Sequence, residues 1–232
     1  MEEKKESQEL SIVIPAFQKG GLIQNTIKFL KDYFPQAEII VVNDGSFDNT
    51  KEIRDIFKSQ IVYLENEINR GKGYSLRKGF ARAQGEYIIF TDADLPFSVK
   101  DIEKIYQNLK QGSLITVARR EKFYNDKFYK KLLRPFLYLM LRMFFGFNYS
   151  DTQCGLKGFA KDPGKKILTA TIIDGFAIDI EILYLAKKLG YPVDEILVQQ
   201  EFFSPSLSGF NLKHIFKMVW DIFVIRFHHY EL

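Results

Sequence analysis

The stretch NRGKGYSLRKGFARAQGEYIIFTDADL (residues 69–95) contains the features that decide the fold. A helical pattern from about Gly73 to Ala83 is followed by the run EYIIFTDAD, which is typical of a buried strand. Because side chains alternate along a strand, Asp92 and Asp94 are expected to point the same way, with Ala93 pointing away. Two carboxylates at the end of a strand are placed to converge on one ligand.

Strand and helix patterns alternate over the first half of the chain, which predicts an α/β fold with a mostly parallel sheet and crossover helices. The predicted strands are LSIVIPA, EIIVVND, IVYLEN, EYIIFTDAD and SLITVARR; the helices between them include GLIQNTIKFLKDY, TKEIRDIF and SVKDIEKIYQNLK. After residue 120 we interpret SDTQCGLKGF as a loop, followed by a helix around DIEILYLAKKLG, a strand ILVQQEFF and a terminal helix. The second half is expected to fold onto the carboxyl edge of the sheet, where ligands bind in open α/β proteins.

Composition narrows the class of protein. The 232 residues, 46% hydrophobic and 27% charged, fit a globular domain, and a net charge of +4 does not require a nucleic-acid partner. The single cysteine, Cys154, excludes an internal disulfide and a cysteine-built zinc site. Residues 1–9 are charged and lack the apolar run of a secretory signal, so we expect a disordered tail and a cytoplasmic protein.

A basic and aromatic segment at residues 120–150 has the composition of a helix that lies on an anionic membrane surface. Its apolar run PFLYLMLRMFFGF is interrupted by Arg142 and is too short to span a bilayer. The alternative is a core helix with a solvated flank. The C-terminal segment, residues 211–232, has a broad apolar face at helical spacing, which suits either core packing or a membrane surface.

Three carboxylates are predicted to meet at the carboxyl edge of the sheet, since Asp44 ends the strand of VVNDGS, and Asp92 and Asp94 end a later one. Clustered carboxylates repel one another unless a cation lies between them. A site with only two protein carboxylates suits Mg²⁺ or Mn²⁺ that is also bound to a phosphate. The alternative is that Asp44 and Asp94 are turn residues that accept hydrogen bonds from nearby backbone N–H groups. The turn NRGKG, which contains Lys72, suits phosphate binding at a helix N-terminus, although it matches neither a P-loop nor the full GxGxxG pattern.

The motifs SIVIPAF, IIVVNDGSFDNT, NRGKGYSLRKGFARAQGEYIIFTDADL and DTQCGLKGF, in this order, closely resemble family 2 inverting glycosyltransferases with the GT-A fold. Within that family the chain looks like the polyprenyl (dolichyl) phosphate mannose and glucose synthases. The resemblance implies a catalytic domain over residues 10–210 that transfers glucose or mannose from a UDP- or GDP-sugar to a polyprenyl phosphate. It also implies Mg²⁺ or Mn²⁺ as cofactor and peripheral contact with lipid on the cytoplasmic face of a membrane.

The resemblance assigns expected roles to individual residues. Asp94 is expected to bind the divalent ion on the diphosphate, Arg119 to approach the phosphates, and Asp179 to lie near the acceptor. Ser206 and Ser208 belong to a predicted flap, SPSLSGF. The complete predicted set is as follows: catalytic Asp94, Arg119 and Asp179; nucleotide-binding Pro15, Phe17, Asp44, Asp92 and Lys72; donor- or acceptor-binding Asp151, Thr152, Gln153, Arg134, Ser206 and Ser208; metal-binding Asp92 and Asp94.

Two features depart from the family pattern. Gln18 and Lys19 replace the Asn and Glu that usually follow the aromatic residue after the first strand, and Pro96 replaces a Gln that is common in mannose-transferring relatives. Because proline has no side-chain ligand, phosphate and water must complete the metal shell. Two alternatives stay open: transfer to a soluble or polysaccharide acceptor, and a nucleotide-sugar-binding protein without catalysis, which only the altered Gln18 and Lys19 indicate.

Overall fold

The computed structural model describes residues 9–120, 128–149, 151–199 and 212–232, and within these ranges it describes all side chains except those of residues 128–136 and 212–215. The strands are β1 (Leu10–Ala16), β2 (Glu38–Asn43), β3 (Val62–Glu65), β4 (Tyr87–Thr91), β5 (Ile115–Arg120), β6 (Leu156–Ala160) and β7 (Asp194–Val198). The α-helices are α1 (Gly20–Tyr33), α2 (Ile53–Phe57), α3 (Lys72–Arg82), α4 (Val99–Lys110), α5 (Phe128–Phe145), α6 (Lys161–Ala170), α7 (Ile178–Lys188) and α8 (Leu212–Phe227).

The strands form one sheet in the order β3-β2-β1-β4-β6-β5-β7. β6 is antiparallel to its neighbours β4 and β5, and the other neighbouring pairs are parallel, which confirms the predicted mostly parallel sheet. The carboxyl ends of β1, β2, β4 and β5 consequently open at one edge, beside the amino end of β6. This edge, the carboxyl edge, carries the predicted site.

Both faces of the sheet are covered by helices, so the central strands are mostly apolar. Val13, Val42 and Phe90 belong to one core, shared with α3, α6 and α7. Ile12 and Ile89, one residue away on β1 and β4, belong to a second core, shared with α1 and α4. Successive residues therefore face opposite layers, as strand geometry requires.

Element boundaries agree with the sequence pattern where capping or apolar runs are clear. β1 has the predicted limits, and α4 begins after Ser98, whose side chain accepts a hydrogen bond from the Lys100 N–H. Asp48 likewise caps the 3₁₀ turn Asn49–Glu52 by accepting from the Thr50 N–H. These local signals need no tertiary contact to be recognised.

Two elements were not predicted, and a third, β7, begins two residues before the predicted strand ILVQQEFF, of which residues 200–203 lie outside the described part of the chain. The stretch interpreted as a loop contains most of β6. Lysine normally avoids a central strand position, but Lys157 occupies one because an ion pair with Asp179 compensates its buried charge. α6 was not predicted, since Pro163 and Gly164 are typical of a turn. Pro163 is tolerated there because it lies in the first helical turn, where its missing N–H has no intrahelical partner.

α5 and α8 lie against each other through an edge-to-face contact between Phe144 and Phe223, with ring centroids 5.2 Å apart. Large apolar side chains remain exposed along both helices: Tyr138, Leu139 and Met143 on α5, and Phe216, Trp220, Phe223 and Phe227 on α8. We call this set the aromatic surface. None of the helices in the described part of the chain is both long enough and apolar enough to cross a bilayer.

Candidate active site

Asp92 and Asp94 lie in a turn after β4, whereas the sequence pattern predicts that they end the strand. β4 ends at Thr91, and the Leu95 N–H donates to the Asp92 carbonyl at 3.0 Å. Leu95 has a φ of +39°, a left-handed conformation that an apolar side chain does not signal in a sequence. Strand alternation therefore does not set the direction of these two carboxylates; the turn does.

Each carboxylate of this pair contacts its own lysine. Lys72 Nζ lies 3.1 Å from Asp92 Oδ1, and Lys19 Nζ lies 3.0 Å from Asp94 Oδ2. The Asp92 side chain is 38% exposed and that of Asp94 is 12% exposed. Lys19 comes from the loop after β1 and Lys72 from the start of α3, so the two ion pairs join three separate parts of the carboxyl edge.

Gly155 brings the chain before β6 against Asp92. A Cβ atom at this glycine would lie 1.8 Å from Asp92 Oδ2, far inside van der Waals contact. The antiparallel direction of β6 places its amino end, and therefore Gly155, at the carboxyl edge. Asp92 is thus confined between the Lys72 ammonium and the backbone at Gly155.

A series of ion pairs connects Asp92 at the carboxyl edge with buried charged residues in the core. Lys72 also contacts Asp179 Oδ2 at 3.1 Å, and Asp179 Oδ1 accepts a hydrogen bond from Lys157, which is completely buried. The Lys157 ammonium donates as well to the Cys154 carbonyl at 2.7 Å. Both ammonium groups lie 5.4 Å from the ring centroid of Phe90, a favourable cation–π distance.

These contacts fix the charge states. Burial opposes ionisation of Asp179, yet the Lys157 and Lys72 ammonium groups hold the pKa of its carboxyl below the ordinary value. Burial likewise opposes the charged form of Lys72, yet Asp179 and Asp92 raise its pKa above the ordinary value. Asp179 is therefore an anion with a lysine on each oxygen. Sequence reasoning missed Lys157, whose partner lies on α7.

Asp44 has its carboxylate directed at the loop before α3. It is buried and accepts hydrogen bonds from Asn66 Nδ2 at 2.8 Å, the Arg70 N–H at 2.9 Å and the Gly71 N–H at 2.8 Å. Gly71 has a φ of +103°, and a Cβ there would lie 2.3 Å from the Asp174 carbonyl. Asp44 thus shapes the turn that presents Lys72, and its role in nucleotide binding stays a prediction.

Two exposed aromatic side chains follow β1 and β2 at the carboxyl edge. Phe17, after β1, is 38% exposed, and Phe47, after β2, is 80% exposed. Their rings are 6.3 Å apart at an interplanar angle of 82°. Pro15 is half-buried and pairs in register with Val42 of β2. Exposed aromatic faces of this kind can stack on a nucleobase, and Phe47 was not among the predicted residues.

Arg120 and Asp151 form a bidentate ion pair at the end of β5. Arg120 Nε and Nη2 lie 2.6 and 2.9 Å from the two oxygens of Asp151, which is buried. Thr152 is buried, and Gln153 Nε2 lies 3.3 Å from Met218 Sδ of α8. The predicted donor- and acceptor-binding loop is therefore tied to β5 and α8.

Arg119 precedes this ion pair on β5, is half-buried and pairs in register with Leu197. Arg134 lies on α5, but its side chain is outside the described set, and Ser206 and Ser208 lie outside the described residues. Cys154 is fully buried, and burial raises the pKa of its thiol to about 12.

The fit of a divalent cation can be judged from the donor atoms. Asp92 and Asp94 offer hard carboxylate oxygens, which Mg²⁺ and Mn²⁺ prefer. Within the described residues there is no group of three or more His, Cys, Asp or Glu side chains that could hold a metal ion. The pair therefore suits a cation that takes its remaining ligands from a substrate phosphate and water.

The fold and this edge define a glycosyltransferase of the GT-A type. The sequence profile of Glycosyl transferase family 2 matches residues 11–178, and the chain belongs to that family. Within it the chain is of the dolichyl-phosphate sugar synthase-like kind. The expected family, fold class and enzyme class are all confirmed.

Relatives of known name match over most of the chain. The dolichyl-phosphate beta-glucosyltransferase of Dictyostelium discoideum is 30% identical over 243 residues, which cover 94% of this chain and 74% of the relative. The protein of the same name from Saccharomyces cerevisiae is 29% identical, with the same coverage. Glucosyl-3-phosphoglycerate synthase from Mycobacterium tuberculosis, solved with Mn²⁺, UDP and glucosyl-3-phosphoglycerate, superposes with a TM-score of 0.68 at 18% identity and covers 94% of this chain and 78% of that chain.

Proposed function

We propose that this protein transfers glucose, with inversion, from a nucleoside diphosphate glucose to a polyprenyl phosphate at a membrane surface. The observation that carries the proposal is the paired Asp92 and Asp94, lined by lysines, in a chain similar to dolichyl-phosphate beta-glucosyltransferases. In this proposal residues 10–210 form the catalytic domain, and residues 211–232 form a C-terminal segment that carries the amphipathic helix α8. The nucleoside diphosphate of the donor is UDP or GDP.

The charged side chains at the carboxyl edge match the demands of the reaction. Departure of the nucleoside diphosphate develops negative charge, which cationic groups stabilise best where water is excluded. Lys72 and Arg119 supply fixed positive charge, while Asp92 and Asp94 would hold Mg²⁺ or Mn²⁺. When bound, the cation would act as a Lewis acid that neutralises the leaving diphosphate.

The acceptor makes a general base less necessary. A phosphate monoester has its second pKa near about 6 and is already an anion at neutral pH. Asp179 is buried and both of its oxygens contact lysines, so its part in this proposal is to hold Lys72 in place. Asp151 similarly holds Arg120 at the end of β5.

The aromatic surface supports the membrane part of the proposal. Trp220 is 69% exposed, Phe216 75% and Met143 74%. Amphipathic helices with such exposed apolar side chains bury their apolar face at the boundary between lipid headgroups and acyl chains. Gln153 contacts Met218, a buried residue of α8, so the helix that carries most of this surface also packs against the predicted donor- and acceptor-binding loop. We infer peripheral attachment, with the site beside the lipid, on the cytoplasmic face.

A turnover panel tests the proposal. UDP- and GDP-linked glucose and mannose are incubated with the protein, Mg²⁺ or Mn²⁺, and a polyprenyl phosphate in detergent. Labelled glucose in the organic phase is the expected result. Label that enters only an aqueous product would favour a soluble acceptor, and nucleotide-sugar binding without turnover would favour a binding protein. If no nucleotide sugar binds at all, the proposal is wrong.

A further inference from the structure

Lys19 is one of the three residues that depart from the pattern of the resembled family, and hydrogen bonds of the surrounding backbone hold it in place. Three successive backbone N–H groups donate to the loop after β2: Gln18 to Ser46 Oγ at 2.9 Å, Lys19 to Thr50 Oγ1 at 3.0 Å, and Gly20 to Asp48 Oδ2 at 3.2 Å. Gln18 has a φ of +52°, which is uncommon for a residue with a side chain. Such a conformation persists where surrounding contacts over-determine it.

From this fixed backbone the Lys19 side chain crosses the edge of the sheet to Asp94. The Nζ–Oδ2 distance is 3.0 Å, and the lysine and aspartate side chains are 29% and 12% exposed. Asp92 already has Lys72 as its partner. The two carboxylates and the two ammonium groups therefore cancel in charge, and the pair is neutralised before any ligand arrives.

A divalent cation that binds this neutralised pair must first displace an ammonium group from Asp94. Without a new anionic partner nearby, the displaced Lys19 is left close to the incoming cation and repels it. A nucleoside diphosphate changes this balance, because its phosphate oxygens offer a partner to the lysine as well as ligands to the metal. Metal and nucleotide then bind more tightly together than either does alone.

We propose that Lys19 is a positioning residue that makes metal binding depend on the nucleotide: it pairs with Asp94 in the free protein and transfers to the diphosphate when cation and nucleotide bind together. The inference rests on the proposed function, since it needs a diphosphate ligand. It concerns this chain in particular, because the glutamate that the family resemblance implies at this position could not neutralise Asp94.

The test measures Mn²⁺ affinity directly, from the electron paramagnetic resonance signal of free Mn²⁺, without nucleotide and with saturating UDP or GDP. Mn²⁺ bound by nucleotide alone is subtracted using samples without protein. In the wild type, we expect nucleotide to tighten Mn²⁺ binding on the order of 100-fold, within the usual range of coupling between two sites. In Lys19→Met, binding without nucleotide is expected to tighten about 10-fold, and the coupling to shrink about 10-fold.

Two further variants separate the ion pair from other effects. Lys19→Arg keeps the charge and should keep the wild-type coupling within about 3-fold. Lys28→Met removes one positive charge from an exposed position on α1 and should behave as the wild type. Thermal unfolding checks that each variant is folded, which we expect at position 19 because methionine and arginine supply the same backbone N–H.

The outcomes distinguish this inference from the proposed function. If Mn²⁺ affinity without nucleotide is the same in the wild type and Lys19→Met, or shifts equally in Lys28→Met, the role of Lys19 is wrong and the proposed function stands. If neither UDP nor GDP changes Mn²⁺ binding in any variant, the proposed function falls and this inference falls with it.

Discussion

Lys157 donates a hydrogen bond to Asp179 in the interior of the protein, where the lysine is 0% and the aspartate 3% exposed. This buried ion pair anchors Lys72, which in turn contacts Asp92 at the carboxyl edge. The position of a predicted metal ligand thus depends on a charge located in the core.

Lys157→Met should destabilise the protein strongly. The substitution leaves Asp179 buried with only one cationic partner, and breaking a buried ion pair typically costs about 3–5 kcal/mol. Urea unfolding at neutral pH measures the free energy of unfolding. The double variant Lys157→Met/Asp179→Asn removes both charges and should recover most of the loss; a double variant as unstable as Lys157→Met alone would contradict this explanation.

Acid should destabilise the wild type partly through Asp179. Its pKa lies below the ordinary value of 3.8 in the folded protein, so the unfolded chain takes up this proton at a higher pH than the folded one. The stabilisation is therefore present above about pH 4 and is lost as the pH falls through the folded pKa. Unfolding free energies measured from pH 6 to pH 3 should show this component in the wild type and lack it in Asp179→Asn. Parallel profiles would contradict it.

Gly155→Ala should reduce catalysis more than stability. The new methyl group would overlap Asp92 Oδ2 and push the carboxylate away from its position. A displacement of about 1 Å can lower the rate by on the order of 10²-fold, here measured as kcat/KM for glucose transfer. Gly21→Ala is the matched control, since its Cβ has nothing within 4 Å. Equal kcat/KM for both variants would show that Asp92 tolerates the shift.

Trp220→Ser should weaken membrane association without unfolding the protein. Trp220 is a large exposed side chain of the aromatic surface, and burial of apolar area in the interface supplies much of the binding energy. Flotation with vesicles that contain anionic lipid should show a several-fold smaller bound fraction. Phe29→Ser, at an exposed position on α1, serves as the control. If both variants float as the wild type does, the aromatic surface is not the attachment site.

Most of the sheet could be predicted from the sequence because the patterns that mark its strands are local. The limits of β1 and the cap of α4 follow from an apolar run and from a serine placed before a helical pattern. The motifs around Asp92 and Asp94 also predicted that the ligand site lies at the carboxyl edge.

What could not be predicted depends on residues distant in the chain. Lys19 and Asp94 are 75 positions apart, and Lys72 and Asp179 are 107 apart, so no local pattern joins them. β6 was mistaken for part of a loop because a lysine seldom lies in a central strand, and its partner Asp179 belongs to a helix 22 residues later. The turn after β4 depends on a left-handed leucine, which sequence preferences do not indicate.

The placement of β6 has a further consequence for synthesis of the chain. β5 pairs only with β6 and β7 in the described sheet, and both of these strands follow it in sequence. As the chain emerges from the ribosome, β1 to β4 can assemble in order, whereas β5 has no neighbour until the later strands appear. A nascent chain that ends just after Arg120 therefore exposes an unpaired apolar strand, and the carboxyl edge is completed only when the second half has been made.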